Sequence, residues 1–273
     1  MNTPDDLKPI AEMICRVCDH QQLNKNYRHL VVDAPVDALT AQPGQFFNLL
    51  CRLRDDSAPY LRRPMSVYRI DRNQSRIEFL YKVVGEGTQN LSKLKLGDEL
   101  NVLGPLGQGF DLSSNPKHIL MVARGVGLAT LAPLAETARE RGISVDVIFS
   151  ARSSEVLMSV DHFRQADAIV TAVTDIDGSS DIDNVEELVR NIVKEKGTGL
   201  FATCGSNRLF QMLRNIGEEF GIKGQVALEQ QMGCGLGMCF ICVRPFQRKV
   251  GEIEYRRVCF DGPVFDLQET VSW

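Results

Sequence analysis

Cys234, Cys239 and Cys242 form a C-x4-C-x2-C array inside Met232-Gly-Cys-Gly-Leu-Gly-Met-Cys-Phe-Ile-Cys, and Cys259 follows a short distance on. This is the plant-type ligand spacing for a [2Fe-2S] cluster, whose chemistry is the transfer of single electrons. Four thiolates have to converge on two irons, so three come from one tight loop. There Gly233, Gly235 and Gly237 permit unusual backbone angles and bring amides close to sulfur. The fourth thiolate has to return from elsewhere in the fold. The strand-like run Gly251-Glu-Ile-Glu-Tyr-Arg-Arg-Val delivers Cys259 on the far side of the loop. A zinc site and four unrelated buried thiols are the alternatives, but zinc ligands usually come as two separated C-x2-C knuckles, and only one stands here.

The elements that must position these cysteines change character along the chain. Up to residue 112, β-prone runs such as Arg28-His-Leu-Val-Val-Asp, Gln45-Phe-Phe-Asn-Leu-Leu-Cys and Ser75-Arg-Ile-Glu-Phe-Leu-Tyr-Lys-Val-Val alternate with Gly, Pro and Asp, which predicts a small antiparallel β-barrel. From 113 to 225 the apolar runs 119–123, 145–149, 168–173 and 200–204 are separated by helical patterns, the order of a parallel α/β sheet. Val185, Leu188, Val189 and Ile192 share one helical face, with Asp183 and Glu186 placed as a cap and Gly197 as a stop. Leu209, Leu213, Ile216 and Phe220 repeat the pattern before Gly221. Residues 226–273 are short, cysteine-rich and glycine-rich, and read as an appended cluster domain. The fold class is therefore multidomain.

At 273 residues the chain suits two or three domains. Its 44% hydrophobic and 24% charged content allow a sizeable core, and a formal charge of -4 argues against a nucleic-acid surface. No apolar run is long enough to span a bilayer, and Met1-Asn-Thr-Pro-Asp-Asp is acidic and lacks an apolar signal core, so a cytoplasmic protein is expected. In such a reducing compartment the eight cysteines stay free and available to iron.

The barrel region carries Leu61-Arg-Arg-Pro-Met-Ser-Val-Tyr, then Gly85-Glu-Gly-Thr-Gln-Asn-Leu, then Gly104-Pro-Leu-Gly-Gln-Gly-Phe. That order of motifs resembles the ferredoxin-reductase superfamily, in which an Arg-x-x-Ser segment lines a flavin and its Arg holds a flavin phosphate, a task suited to a planar fork of donors. The resemblance places Arg63, Pro64, Met65 and Ser66 along FAD. It places Gly85, Gly87 and Thr88 at the pyrophosphate, met through backbone N-H groups and the Thr hydroxyl. Relatives often have an aromatic residue where this chain has Met65, so ring stacking is not expected there. Taken one by one, these pieces read more readily as an arginine on a barrel rim and an ordinary turn; their ordered combination with the cysteine array favours the flavin reading.

The whole chain is similar to the electron-transfer subunits of dihydroorotate dehydrogenase B and their relatives. The likeness adds Cys204-Gly205 near the end of the α/β region, Leu228-Glu-Gln-Gln-Met-Gly-Cys at the cluster and Arg257-Val-Cys-Phe-Asp-Gly-Pro-Val-Phe after it. It implies an FAD-binding barrel over 1–112, an NAD(P)-binding α/β domain over 113–225 and a [2Fe-2S] domain over 226–273. It further implies that NAD(P)H supplies electron pairs to FAD, which converts them to single electrons for the cluster. The implied partner is a catalytic oxidoreductase subunit, itself flavin-containing, in a hetero-oligomer. A stand-alone NAD(P)H reductase and a relay subunit that has lost nucleotide binding are the other two expectations.

One departure stands out. Where relatives have Gly-Gly-x-Gly-x-x-Pro, this chain reads Arg124-Gly125-Val-Gly127-Leu-Ala-Thr130. Glycine serves such turns because the backbone must approach a dinucleotide, so Arg124 either pairs with a pyrophosphate or a carboxylate, or obstructs the nicotinamide. Ser150 and Arg152, the latter before a helix expected at Ser153, lack the acidic residue that often grips an adenosine ribose, and NAD versus NADP stays open. Cys15 and Cys18 point to opposite faces of a strand and do not share an ion. Cys51 reads as core, and Trp273 as a frayed terminus.

Overall fold

The computed structural model of the chain describes residues 10–52, 58–249 and 251–273, so the acidic stretch Met1 to Asp6 lies outside the described residues. Seven antiparallel strands build the first region: β1 (Ala11–Gln22), β2 (Tyr27–Asp33), β3 (Phe46–Leu49), β4 (Arg63–Ser66), β5 (Arg69–Asp71), β6 (Arg76–Lys82) and β7 (Glu99–Leu106). Their order β4-β3-β7-β1-β2-β6-β5 curls the sheet until β4 touches β6, and helix α1 (Glu86–Leu91) follows β6. The expected barrel is thus present. Alternation along β1 buries Met13, Cys15 and Val17 and exposes Glu12, Ile14 and Arg16. Cys18 lies beyond the inward run and donates its thiol to Asp33 Oδ1 at 2.7 Å, so the two cysteines do face apart. Cys51 is buried in the same core.

The second region alternates strand and helix: β8 (His118–Arg124), α2 (Leu128–Glu140), β9 (Ser144–Ala151), α3 (Val160–Gln165), β10 (Ile169–Thr174), α4 (Ile182–Lys196), β11 (Leu200–Cys204), α5 (Asn207–Phe220) and β12 (Lys223–Ala227). The sheet runs β10-β9-β8-β11-β12, all parallel, and its order reverses between β8 and β11. Such a reversal opens a crevice at the carboxyl ends of the two strands.

Local details depart from the sequence pattern. Helix α4 is capped at Asp181, not at Asp183 or Glu186. The preceding loop is tied down by Ser180 N to Thr174 O at 3.0 Å, so the helix begins as soon as that turn closes. Gly197, at φ 63°, ends it as expected. At Ser153 the chain makes only a short turn over Ser154–Val156, and α3 waits until Val160.

The cysteine-rich region is less separate than its composition suggests. Hairpin β13 (Val243–Lys249) and β14 (Glu252–Arg257) leads to α6 (Val258–Asp261), which carries Cys259. Strand β15 (Val264–Asp266) then adds antiparallel to β12, and the expected boundary between residues 225 and 226 falls inside β12. Trp273 is not frayed: its ring packs on Phe210 at 5.2 Å and under Arg244 at 5.2 Å, and its backbone pairs with the Asn207 amide.

A polar network joins barrel and α/β region. Arg69 bridges Glu78 at 3.5 Å and Glu136 of α2 at 3.3 Å, while Tyr68 donates to Ser159 at 2.8 Å and its ring packs on His162. Burial pushes the Glu136 carboxyl up to about 7 against the pull of Arg69, and burial together with Arg69 holds His162 down to about 4. His162 Nε2 approaches Glu136 at 3.3 Å without hydrogen-bond alignment, and a neutral imidazole makes this contact no ion pair.

The two groups oppose each other in pH. Glu136 favours the fold below its ordinary 4.5, and that contribution is lost as pH rises to about 7; His162 favours it above 6.5, and that contribution is lost as pH falls towards about 4. Glu136→Gln removes only the first. The melting temperature of the variant relative to wild type should therefore climb from pH 4.5 to about 7 and then level off. The ceiling is ~3 kcal/mol. A difference that does not change with pH would show that Glu136 titrates normally.

Candidate cofactor site

Strand β4 pairs with β3 so that Ser66, Met65, Pro64 and Arg63 lie opposite Phe46, Phe47, Asn48 and Leu49. This lays Arg63 to Ser66 along one wall of a cleft of about 410 Å³. Its other walls come from Tyr81 and Lys82 of β6, Val126 to Thr130 at the start of α2, and Leu228 to Met232 after β12. The volume and largely apolar lining are those of a site for a planar ring system. Arg63 donates to the Leu61 carbonyl at 2.6 Å and lies across Gly87, where an added Cβ would meet its Nε at 2.9 Å. Gly87 thus leaves room for the guanidinium to lie across it. The first-turn amides of α1 have no intrahelical acceptors, so guanidinium and amides together can hold a diphosphate.

Thr88 departs from the expected role. Its hydroxyl accepts from Val84 N at 2.9 Å and Gly85 N at 3.1 Å and donates to Gly85 O at 2.9 Å. It therefore shapes the turn from within. Behind the cleft, His20 Nδ1 sits 2.8 Å from the Leu94 carbonyl, which makes it the donor and leaves Nε2 to accept from Tyr81 at 2.9 Å. Burial lowers the pKa of His20 and keeps this ring neutral.

The crevice between β8 and β11 brings Arg124 and Gly127 against Cys204 and Gly205, while Gly125 faces the Tyr27 hydroxyl. A Cβ on Gly127 would lie 2.6 Å from the Cys204 carbonyl, and one on Gly205 (φ 94°) would strike the Arg124 carbonyl. These glycines are required by two loops crossing backbone to backbone. Cys204 is fully enclosed; burial, then the charge of Glu229, pushes its thiol up to about 12, and its sulfur faces Thr130 Oγ1 at 3.9 Å. Thr130 occupies the first turn of α2, as its substitution for Pro allows. Arg124 turns sideways, away from the crevice, and its guanidinium reaches Ser150 and Asp175.

The four cysteines gather in two pairs. Cys234 N approaches Cys239 Sγ at 3.4 Å, and Cys259 N approaches Cys242 Sγ at 3.4 Å. Two such pairs suit the two irons of a [2Fe-2S] cluster. Burial acts to raise the Cys234 thiol, but donors from Cys239, Leu236 and Met238 outweigh it and bring it down to about 7. Cys259 is pushed up to about 12 by burial and by the neighbouring Cys242 and Cys234. Thiolates this close repel one another, and cationic iron is the partner such a donor set requires. A Cβ on Gly233 would come within 3.1 Å of Cys239 Sγ, so this glycine keeps the space beside that sulfur clear.

The loop also touches the barrel directly. Asn48 Nδ2 donates to the Cys234 carbonyl at 3.2 Å, and Arg63, Pro64 and Met232 line both the main cleft and a second one that reaches Gly233 and Ile241. Glu229 stands at the junction, open to solvent yet walled by neighbours, and burial raises its pKa. Sequence reasoning missed Glu229, Tyr81 and the start of α2 as lining residues. Only the polar run between β12 and the cysteine loop offered a signal.

A curled flavin-type barrel, a sheet with a switch-point crevice and a cysteine loop at the end of the same cleft define a ferredoxin-reductase-type oxidoreductase component with an attached iron–sulfur domain. Residues 14–110 match the oxidoreductase FAD-binding domain, and residues 229–271 match the iron–sulfur cluster binding domain of dihydroorotate dehydrogenase B. The chain is 34% identical over 90% of its length, and 93% of the relative's, to the dihydroorotate dehydrogenase B (NAD(+)) electron transfer subunit of Desulforamulus reducens. It is 33% identical to that of Fusobacterium nucleatum, over 92% of this chain and 95% of the other. The solved structure of an NADH-dependent reduced ferredoxin-NADP oxidoreductase superposes with a TM-score of 0.77 at 26% identity, over 93% of this chain and 88% of that one. The chain belongs to the family of dihydroorotate dehydrogenase B electron transfer subunits.

Two substitutions separate the cofactor sites. Cys239→Ser should abolish the paramagnetic signal of the reduced cluster while FAD stays bound, because Cys239 is not among the residues that line the flavin cleft. A normal signal in that variant would remove Cys239 from the ligand set. Arg63→Ala should weaken FAD by the value of a charge-assisted contact, about 1.5 to 3 kcal/mol, read as a roughly ten- to hundredfold rise in Kd by fluorescence titration. Unchanged retention would show that the phosphates lie elsewhere.

Proposed function

We propose that this chain passes electrons between NAD(P)H, FAD and a [2Fe-2S] cluster to or from a catalytic partner subunit that carries its own flavin and oxidises dihydroorotate or a related substrate, in a cytoplasmic hetero-oligomer. The observation that carries this reading is the wall shared by the flavin cleft and the cysteine loop, built from Pro64, Met232 and the Asn48 contact. Bound in these sites, a flavin exchanges electrons in pairs or singly and an iron–sulfur cluster singly. Arg63 and the first turn of α1 hold the flavin diphosphate, and Arg63 to Ser66 flank its ring. Cys234 with Cys239, and Cys242 with Cys259, hold the irons.

The family relationship and the surface favour a subunit over a self-contained reductase. Around the exposed Cys239, the side chains Met238 (74% exposed), Phe240 (63%), Ile241 (55%) and Phe260 (46%) form an apolar rim. Large apolar side chains grouped around a redox centre suit a protein interface. No described helix is long and apolar enough to cross a membrane.

Anaerobic stopped flow tests the reading. NADH or NADPH should bleach the flavin of the loaded chain, and the catalytic subunit, run in reverse with orotate as electron acceptor, should reoxidise it. Phe240→Asp should weaken that complex by about 2 kcal/mol, the loss typical of an interface anchor. Equal turnover of soluble acceptors by the chain alone would favour the stand-alone reductase. Flavin that stays oxidised under saturating NADH and NADPH with the partner bound would favour the relay.

A further inference from the structure

The carboxyl ends of β8, β9 and β10 are closed by their own side chains. Arg124 ends β8 and pairs across the sheet with Ser150 of β9. Its Nη1 donates to Ser150 Oγ at 2.6 Å and to Asp175 Oδ1 at 3.1 Å, and its Nη2 donates to Asp175 Oδ2 at 2.7 Å. Asp175, just past β10, also accepts from the Ser180 hydroxyl. The loop that carries it is anchored to α5 through Arg208, which donates to the Ser180 carbonyl at 3.1 Å. The carboxylate is therefore presented to Arg124 by a braced turn.

This edge adjoins the switch-point crevice, where ligands enter open α/β sheets. A guanidinium binds carboxylate and phosphate through the same two-pronged geometry, so either can take the place of the other. The side chains of Arg124 and Asp175 remain 29% and 39% exposed, which keeps their pairing weak enough to exchange. Arg124 lowers the pKa of Asp175 to about 2, so the competitor stays charged at working pH.

We propose that Arg124 and Asp175 form a phosphate-exchangeable latch: Arg124 is the residue that receives the pyrophosphate of a pyridine dinucleotide, and Asp175 occupies it until the nucleotide arrives. The proposal rests on the reading that this crevice takes such a nucleotide. Arg124 then neither blocks the site nor stands ready in it. It is specificity-determining, because only a ligand that brings an anion of this two-pronged geometry, as a phosphate does, can replace the carboxylate.

The probe is ADP-ribose, which carries the pyrophosphate but no nicotinamide, titrated calorimetrically into the FAD- and cluster-loaded chain. Asp175→Asn should bind it about fivefold more tightly than wild type, the release of an exposed ion pair worth about 1 kcal/mol. Asp175→Ser, smaller and still able to meet Ser180, should tighten binding likewise and guards against misfolding of the first variant. Adding Arg124→Gly to either should erase the gain. Affinity equal to or weaker than wild type in folded Asp175 variants, or no binding in any of them, overturns the latch. Tighter ADP-ribose binding, in a chain whose flavin NADH and NADPH leave oxidised, supports the latch while rejecting the nucleotide as electron donor.

Discussion

Asn48 reaches from the barrel to the carbonyl of Cys234, and the spacing of the two redox sites depends on that approach staying short. Electron transfer weakens steeply with distance, so a cysteine loop held a side chain further out would serve poorly. Gly235 allows the contact: at φ 72° it suits glycine, and a Cβ there would overlap the Asn48 amide. A second junction repeats the device. Gln108 N donates to Gly262 O at 2.5 Å, and a Cβ on Gly107 would strike the same carbonyl. The Gly-Pro-Leu-Gly turn that resembled a flavin motif therefore also seats the C-terminal region on the barrel.

The three regions consequently pack closely against one another. Strand β15 returns to pair with β12, Trp273 is pinned to α5, and Tyr27, Tyr68 and Leu80 of the barrel share a core with the α/β sheet. Polar groups at that junction are matched in an unusual way. Glu136 and His162, both half-buried, lean towards their neutral forms, which spares the interface two poorly compensated charges and leaves Arg69 with Glu78 as its ion pair.

Much of this was legible in the residues. The alternation of β1, the strand limits of β11 and the stop at Gly197 follow from short-range sterics and patterning, which act within a few residues. The thiolate spacing was equally readable, because three ligands share one loop. Less legible was the meaning of isolated residues. The hydroxyl of Thr88 also closes its own turn, and Gly127 and Gly205 also let two loops cross, which residue type alone does not reveal.

The sequence by itself determined the cluster chemistry, the order of barrel and sheet, and the arginine that breaks the nucleotide turn, because each is carried by residue type and local spacing. Tertiary structure alone decided what Arg124 does, since its partner lies two strands away and fifty-one residues on, at Asp175. It alone placed Glu229 and Tyr81 in the cleft and joined that cleft to the cysteines. Contacts between residues so far apart in the chain depend on how strands are ordered and how loops cross, and neither leaves a periodic signature in the sequence.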